Sequence, residues 1–295
     1  MSKTETPHLK SRFQKRALRY LTLIALEVAT SRYFRKLFPQ PPGGVIFFFN
    51  LCIKVGKSTS LAEAHTLQFI AKNTSIPVPA VYHTFTHRGT PYILMERIRG
   101  KNIANSWRLL SDSSKASIFS QLKPMIEELR AIPSQSMGVC NLDGGPIYDC
   151  RLPNTSLWGP FDTLHDFHLA LRNGFTSEVL DKSLQVRTET SLSLDEISEM
   201  QKLVAFHESV TPTLVFTHGD LSSLNILIRD DKVVAIIDWE TAGWLPYYWE
   251  YSTAWHANPQ NYFWQNQVGN FLNANETELE MEKIRHKYFG DIPDF

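Results

Sequence analysis

The sequence predicts an α+β protein, on three observations. Apolar β-type runs crowd residues 45–98, helical patterns dominate from residue 112 onward, and one further hairpin, Ile226 to Ile237, interrupts the helices. At 295 residues, 43% hydrophobic and 20% charged, the chain can build one large or two modest folded units, and no disordered or repetitive tract breaks it.

Charge is unevenly spread. Residues 1–40 carry nine Lys or Arg against Glu5 and Glu27, so a chain with 30 of each sign is net negative by seven over the remainder. Arg12 to Phe38 reads as a helical region with a basic flank. Its most apolar part, Leu18 to Ala29, is interrupted by Arg19 and Glu27 and is too short to span a bilayer. An Arg-rich, acid-poor start also resembles a mitochondrial presequence, but no cleavage site is evident; the preferred reading is a helix packed on or beside the strands that follow. No secretory signal is evident either, so the expected compartment is the cytoplasm and the three Asn-x-Ser/Thr sites (Asn73, Asn154, Asn275) carry no meaning. Cys52, Cys140 and Cys150 match no metal-ligand spacing and read as small buried residues. The basic start is too short to indicate a nucleic-acid partner.

Pro39-Gln40-Pro41-Pro42-Gly43-Gly44 breaks the chain and sets the first boundary, leaving residues 1–40 as a basic helical extension. Strands follow at Val45–Phe49 and Leu51–Val55, then a helix from Leu61 to Lys72. Gly56-Lys57-Ser58, between strand and helix, mimics a P-loop, but Leu51 stands where that motif needs its first glycine, and the reading is rejected. A second hairpin turns at His87-Arg88-Gly89-Thr90, and its buried strand, Tyr92 to Ile98, runs into Gly100. These features mark a β-rich region over residues 41–98 and a mainly helical one over 99–295.

In the larger region Asp112 can cap a helix reaching Arg130, with Ile118, Leu122, Met125, Ile126 and Leu129 on its apolar face and Pro124 expected to kink it. Cys140 to Trp158 is rich in Gly, Pro and Asn and reads as an irregular loop, a common place for substrate contacts. Phe161 to Asn173 and Ser193 to His207 read as helices. Asp162, His165, Asp166 and His168 could form a metal cluster on the first, but isolated His and Asp on a helix usually face solvent. Trp244, Tyr247, Tyr248, Trp249, Tyr251 and Trp255 crowd into twelve residues. They read as helix packing in preference to an aromatic wall for a cationic substrate.

The chemistry concentrates between Val215 and Trp244. Polar groups stand at both ends of the Ile226–Ile237 hairpin: His218, Asp220 and Asn225 before it, Asp238 and Glu240 after it. A hairpin brings its ends together, so Asn225 and Asp238 lie side by side. An amide oxygen and a carboxylate, both hard ligands, suit Mg²⁺. Asp220 stands on the preceding loop, where it could take a proton from a substrate hydroxyl. Asp and Asn are also ordinary turn residues, but five polar groups bracketing one apolar hairpin argue for a site.

His218-Gly219-Asp220-x4-Asn225 followed by Ile237-Asp238-Trp239-Glu240 resembles the catalytic core of the aminoglycoside phosphotransferase and choline kinase-like family. The run Ala242 to Tyr251 (Ala-Gly-Trp-x-Pro-x-Tyr-Trp-Glu-Tyr) is most similar to fungal members. The resemblance covers roughly Val45 to Trp255. It implies a two-lobed protein-kinase-like fold with a small β-rich lobe and a larger mainly helical lobe. It further implies ATP and Mg²⁺ as cofactors and a small-molecule hydroxyl as acceptor. Asp220 takes the role of base, with His218 bracing its loop, and Asn225 and Asp238 the role of metal ligands. Lys54 takes that of phosphate anchor, fixed by Glu63, and the strand end from Glu96 to Ile98 that of the adenine-binding hinge. The sequence departs from the family in lacking any Gly-x-Gly-x-x-Gly, in the bulky Phe47-Phe48-Phe49-Asn50, and in Ser222-Ser223 where relatives often carry His-Pro. Those departures motivate an alternative, a non-catalytic nucleotide- or ligand-binding module. A protein kinase is less similar still, since no Ala-Pro-Glu element or activation segment follows Asp238. The acceptor, ATP against GTP, the parts played by Glu240 and Glu250, and the oligomeric state are all left open.

Overall fold

The computed structural model describes residues 7–37, 44–56, 59–134, 138–149, 151–152, 156–180, 193–257 and 262–290. The chain break at Pro39–Gly43, Lys57 and Ser58 of the rejected P-loop, Cys150, the Asn154 site and the last five residues lie outside them.

Two helices, α1 (Pro7–Thr30) and α2 (Arg32–Leu37), precede an antiparallel sheet of β1 (Val45–Phe48), β2 (Leu51–Val55), β3 (Val81–His87) and β4 (Thr90–Glu96), in the order β1-β2-β4-β3. Both hairpins close through two residues. Phe49 (φ 54°), Arg88 (50°) and Gly89 (75°) take the left-handed conformation that matches the twist of the flanking strands. Alternation along the strands gives the sheet two apolar faces. Cys52, Ile93 and Met95 join Ala64, Leu67 and Ile70 of α3 (Leu61–Asn73) in one core. Ile46, Ile53, Tyr92 and Leu94 meet Leu18, Leu26, Ala29 and Phe34 of the first two helices on the other face. The N-terminal segment thus completes the outer layer of the sheet.

The second region begins with β5 (Lys101–Asn102) and α4 (Ile103–Ser106), then α5 (Asp112–Arg130). Ser111, and not Asp112, caps α5, its hydroxyl accepting from the Ser114 amide, because the cap must precede the first helical residue. Asp112 sits one place inside, where its charge suits the helix N-terminus. The helix runs unbroken through Pro124 and buries Ile118, Phe119, Leu122, Ile126 and Leu129. Among its described residues the irregular loop carries short strands, β6 (Cys140–Asn141), β7 (Ile147–Tyr148) and β8 (Leu157–Trp158), the last two paired with each other. Helices α6 (Leu164–Leu171), capped by Thr163, and α7 (Leu194–Ser209), opened by a Ser193–Glu196 capping box, come next.

His168 does not face solvent with its polar neighbours. It is fully buried, 2.8 Å from the Tyr248 hydroxyl through Nε2 and stacked on His207 with ring centroids 4.0 Å apart. Helix α6 is mostly apolar, so the face bearing Leu164, Phe167, His168 and Leu171 turns inward. This removes His168 from any cluster with Asp162, His165 and Asp166.

The catalytic-type hairpin is β10 (Ile226–Arg229) and β11 (Lys232–Ile236), closed by Asp230 and Asp231 and joined to β5, after β9 (Leu214–Thr217). Strand β12 (Gly243–Pro246) pairs with β9 and β6. Among the described residues, α-helices α8 (Trp249–His256), α9 (Tyr262–Gln265) and α10 (Glu276–Phe289) follow. Trp244, Tyr248, Trp249 and Tyr251 are all buried, as core packing.

The sheet's inner face is the load between the two regions. Ile93→Ala, at a fully buried position, is expected to cost about 2–5 kcal/mol through lost apolar contact and the cavity left behind. The midpoint of a urea unfolding curve would report it.

Candidate active site

The site is built where the sheet faces the hairpin. Val45 pairs with Lys54 in the first strand pair and Lys54 with Ile93 in the next, which turns the Lys54 side chain toward α3 and the hairpin end. Its ammonium lies 2.9 Å from Glu63 Oε2, 2.5 Å from Asp238 Oδ1 and 2.8 Å from Glu240 Oε2. One element from each part of the molecule therefore meets at a single cation. Burial alone would push the Lys54 ammonium down, but the three carboxylates outweigh it and hold its pKa above the usual lysine range. Burial pushes Glu63 up to about 7 against the opposing pull of Lys54. Glu240 is raised in the same sense, again by burial first.

The 218–225 loop is held by bonds to backbone groups. His218 is fully buried. Its Nδ1 accepts from the Asp220 amide at 3.1 Å and its Nε2 lies 3.0 Å from the Ile237 carbonyl, which requires the neutral Nε2–H tautomer. Burial lowers its pKa to about 4, so it stays neutral at physiological pH. Gly219 has φ +80°, and a Cβ there would sit 2.8 Å from the Thr241 carbonyl oxygen, so glycine is required. Beneath them Glu250, fully buried, accepts from the His218 amide at 2.6 Å and the Gly219 amide at 3.1 Å. Burial pushes Glu250 up to about 7.

Asn225 donates through Nδ2 to the Asp220 carbonyl (2.9 Å) and to Asp220 Oδ2 (2.8 Å). Those bonds assign its amide nitrogen and leave its oxygen as the atom that a hard cation would take. The Ile237 amide donates to the Asn225 carbonyl at 2.9 Å, so the two ends of the hairpin abut. Asp238 itself has φ 66° and ψ 60°, an uncommon backbone for a non-glycine residue. The Lys54–Glu63 contact is present, and the residue before Asp238, Ile237, is bonded to the Asn225 backbone.

Sequence reasoning missed Arg151. It comes from the irregular Cys140–Trp158 loop and forks onto Asp149, with Nε–Oδ1 and Nη2–Oδ2 both 2.8 Å. From there it reaches the Gly219 carbonyl at 2.5 Å and Asp220 Oδ1 at 3.3 Å. Loop composition pointed to that segment as a contact region, but no pattern singled out the arginine. Glu240 and Glu250, flagged without roles, now have partners.

A cleft of about 390 Å³ opens between sheet and hairpin. Phe47, Met95, Glu96, Arg97 and Ile98 line one side, Lys54, Glu63, Asp238 and Glu240 the other. The strand end Glu96–Ile98 therefore borders the cleft. The Phe49-Asn50 turn does not press on the lysine end. It is tied to the other end of the strand pair, the Arg97 amide donating to the Asn50 carbonyl (3.0 Å) and Arg97 Nη1 to the Phe49 carbonyl (3.2 Å). At the lysine end the Gly44 carbonyl accepts from the Val55 amide at 2.9 Å. The carboxylates Glu63, Asp238 and Glu240 offer oxygens within 4.8 Å of one another. Three carboxyl groups share one ammonium, and their hard oxygen donors fit Mg²⁺.

Similarity to known proteins agrees with this geometry. A family model, the phosphotransferase enzyme family, matches residues 56–285. An aminoglycoside 3'-phosphotransferase of Niallia circulans is 26% identical over 245 residues, 82% of each chain. Among solved structures, the ADP-bound aminoglycoside phosphotransferase APH(2'')-Ib superposes with a TM-score of 0.53 at 16% identity, covering 85% of this chain and 84% of its own. The apo form of a thermostable aminoglycoside phosphotransferase APH(4)-Ia gives 0.51 at 14% identity, over 83% and 81%. With a protein-kinase-like fold and most of its length matched, the chain belongs to the phosphotransferase enzyme family.

Proposed function

We propose that this phosphotransferase is an ATP- and Mg²⁺-dependent kinase that moves the γ-phosphoryl group to a hydroxyl of a small molecule, with Asp220 as the base. The observation that carries the reading is the constellation at the hairpin ends. Asp220 and Asn225 are joined through one amide, and Lys54 is held by three carboxylates, Asp238 among them. Lys54 would engage the nucleotide's phosphates, with Glu63 and Glu240 keeping its ammonium in place. Phe47 and the Glu96–Ile98 edge would receive the base. Asp238 and the Asn225 oxygen would hold Mg²⁺, which when bound neutralises charge on the transferring phosphate oxygens.

His218 moves no proton here. Both ring nitrogens are engaged by backbone, and its part is to fix the Asp220 amide. Arg151 positions the Asp220 carboxylate from the other side. The named aminoglycoside kinases act on aminoglycosides, but a shared fold leaves the acceptor of this chain to be found among small hydroxyl compounds.

Asp220→Ala is expected to lower turnover by about 10²- to 10⁴-fold while leaving nucleotide binding intact, measured by steady-state phosphate transfer and by nucleotide titration. Unchanged turnover would remove Asp220 from the mechanism.

Burial pushes Asp220 up to about 6, with Arg151 opposing and Asp238 and Asp149 adding to the rise. A base must be ionised, so kcat/KM should fall as pH drops through about 6. In Arg151→Ala the opposing charge is gone, and the acid limb should move to higher pH. The pH profile of kcat/KM for the two proteins checks the sign.

Saturating ATP with Mg²⁺, at about 100 times its dissociation constant, should stabilise the protein by about 2.7 kcal/mol. Asp238→Ala should lose the Mg²⁺-dependent part of that gain. Thermal unfolding with and without EDTA reads it, and an undiminished shift would take Asp238 out of the metal site.

A further inference from the structure

Helix α1 is apolar on two opposite faces. The inner face, with Leu18, Ala25, Leu26 and Ala29, is covered by the sheet. On the opposite face Tyr20, Leu21, Ile24 and Val28 stand in solvent, at 67%, 61%, 56% and 44% exposure. Spacings of one, four and eight residues from Tyr20 put these four on one side of the helix. The short helix after it continues the surface with Tyr33 (85%) and Leu37 (74%).

The charged side chains around this stripe have one sign. Lys15, Arg16, Arg32, Arg35 and Lys36 are all exposed, against the single acidic Glu27. Arg19 is committed to the sheet, its Nη2 2.8 Å from His87 Nδ1 and its guanidinium over Phe85. An exposed apolar ridge with tyrosines at its edge and a basic rim is the composition of a helix that lies in a membrane interface. The rest of the chain supplies the orientation. Residues beyond 40 are net negative by seven, so an anionic surface attracts the helical layer and repels the lobes behind it.

We propose that the outer face of α1 and α2 docks on an anionic lipid surface, peripherally, with Tyr20, Leu21, Ile24 and Val28 in the interface and Arg16, Arg32, Arg35 and Lys36 on lipid headgroups. No helix among the described residues is long and apolar enough to cross a membrane, and none is needed. The sheet separates this face from the cleft, so docking leaves the nucleotide cleft open.

Co-sedimentation of the full chain with vesicles tests it. Phosphatidylcholine vesicles containing about a third phosphatidylserine should bind at least roughly tenfold more tightly than phosphatidylcholine alone, and raised salt should abolish the difference. Leu21→Glu with Ile24→Glu should lose binding through the apolar stripe; Arg32→Glu with Lys36→Glu should lose it through the rim. Both pairs replace exposed residues, so unchanged melting temperatures and unchanged stabilisation by ATP separate lost docking from lost folding. The proposal is overturned by equal, salt-insensitive partition to neutral and anionic vesicles, or by no partition at all. It is overturned as well if Leu21→Glu with Ile24→Glu leaves lipid binding intact but converts a dimer to a monomer in light scattering. That result would make the stripe a self-association face.

Discussion

The ammonium of Lys54 is the point on which the two lobes converge. It is contributed by the sheet, matched by Glu63 from α3 and by Asp238 and Glu240 from beyond the hairpin. An ion pair at 4 Å is worth about 1 kcal/mol in water but about 4 kcal/mol at the effective dielectric of a protein site. With Lys54 and Glu63 both nearly excluded from solvent, neither can be left unmatched without a large desolvation cost. The relative placement of sheet, helix and hairpin is therefore constrained by charge at the centre as well as by apolar packing around it.

The catalytic loop shows how buried polarity holds a strained segment. Asp238 occupies left-handed backbone, which in a non-glycine residue persists only where the surroundings over-determine it, whereas Gly219 adopts it freely. Here the surroundings are specific. Glu250 takes two consecutive amides, Thr241 donates to the His218 carbonyl at 2.8 Å, and the imidazole links the Asp220 amide to Ile237. All but the Asp220–His218 bond span 19 residues or more. Asp220 is thus presented by a rigid frame, and Arg151 with Asp149 closes the side that the frame leaves open.

What could be read in the chain, and what could not, follows from range. The hairpin was legible because two apolar runs flanking a polar turn are local, and its polar ends follow from its closure. The contact between Lys54 and Glu63 was expected from resemblance, with nothing local to distinguish that lysine from an exposed one. Arg151 was not legible: it reaches Asp220 across 69 positions from an irregular loop, and no periodicity marks such a residue. The burial of His168 was hidden by its polar neighbours, and the strand ending at Pro246 by a partner, β9, about thirty residues away. The cap of α5 fell one residue from its expected place, because two adjacent residues, Ser111 and Asp112, are both good caps and only geometry chooses between them.

The missing glycine signature weighs less in three dimensions than it does in the sequence. Phe48 pairs with Leu51 and Val45 with Lys54. The bulky turn is therefore set back along the strands from the lysine by three residues, roughly 10 Å at strand spacing. It is fastened to the Arg97–Arg99 edge, where Arg99 also donates to Asn50 at 2.8 Å. Phe47 instead faces the cleft beside Arg97, whose guanidinium lies 4.2 Å from its ring centroid. Bulk at this turn thus adds an apolar wall to the cleft without obstructing the phosphate end. The charge at that end points the same way. Glu63, Asp238 and Glu240 converge on one ammonium, and their mutual repulsion costs free energy in the resting protein that a divalent cation would offset.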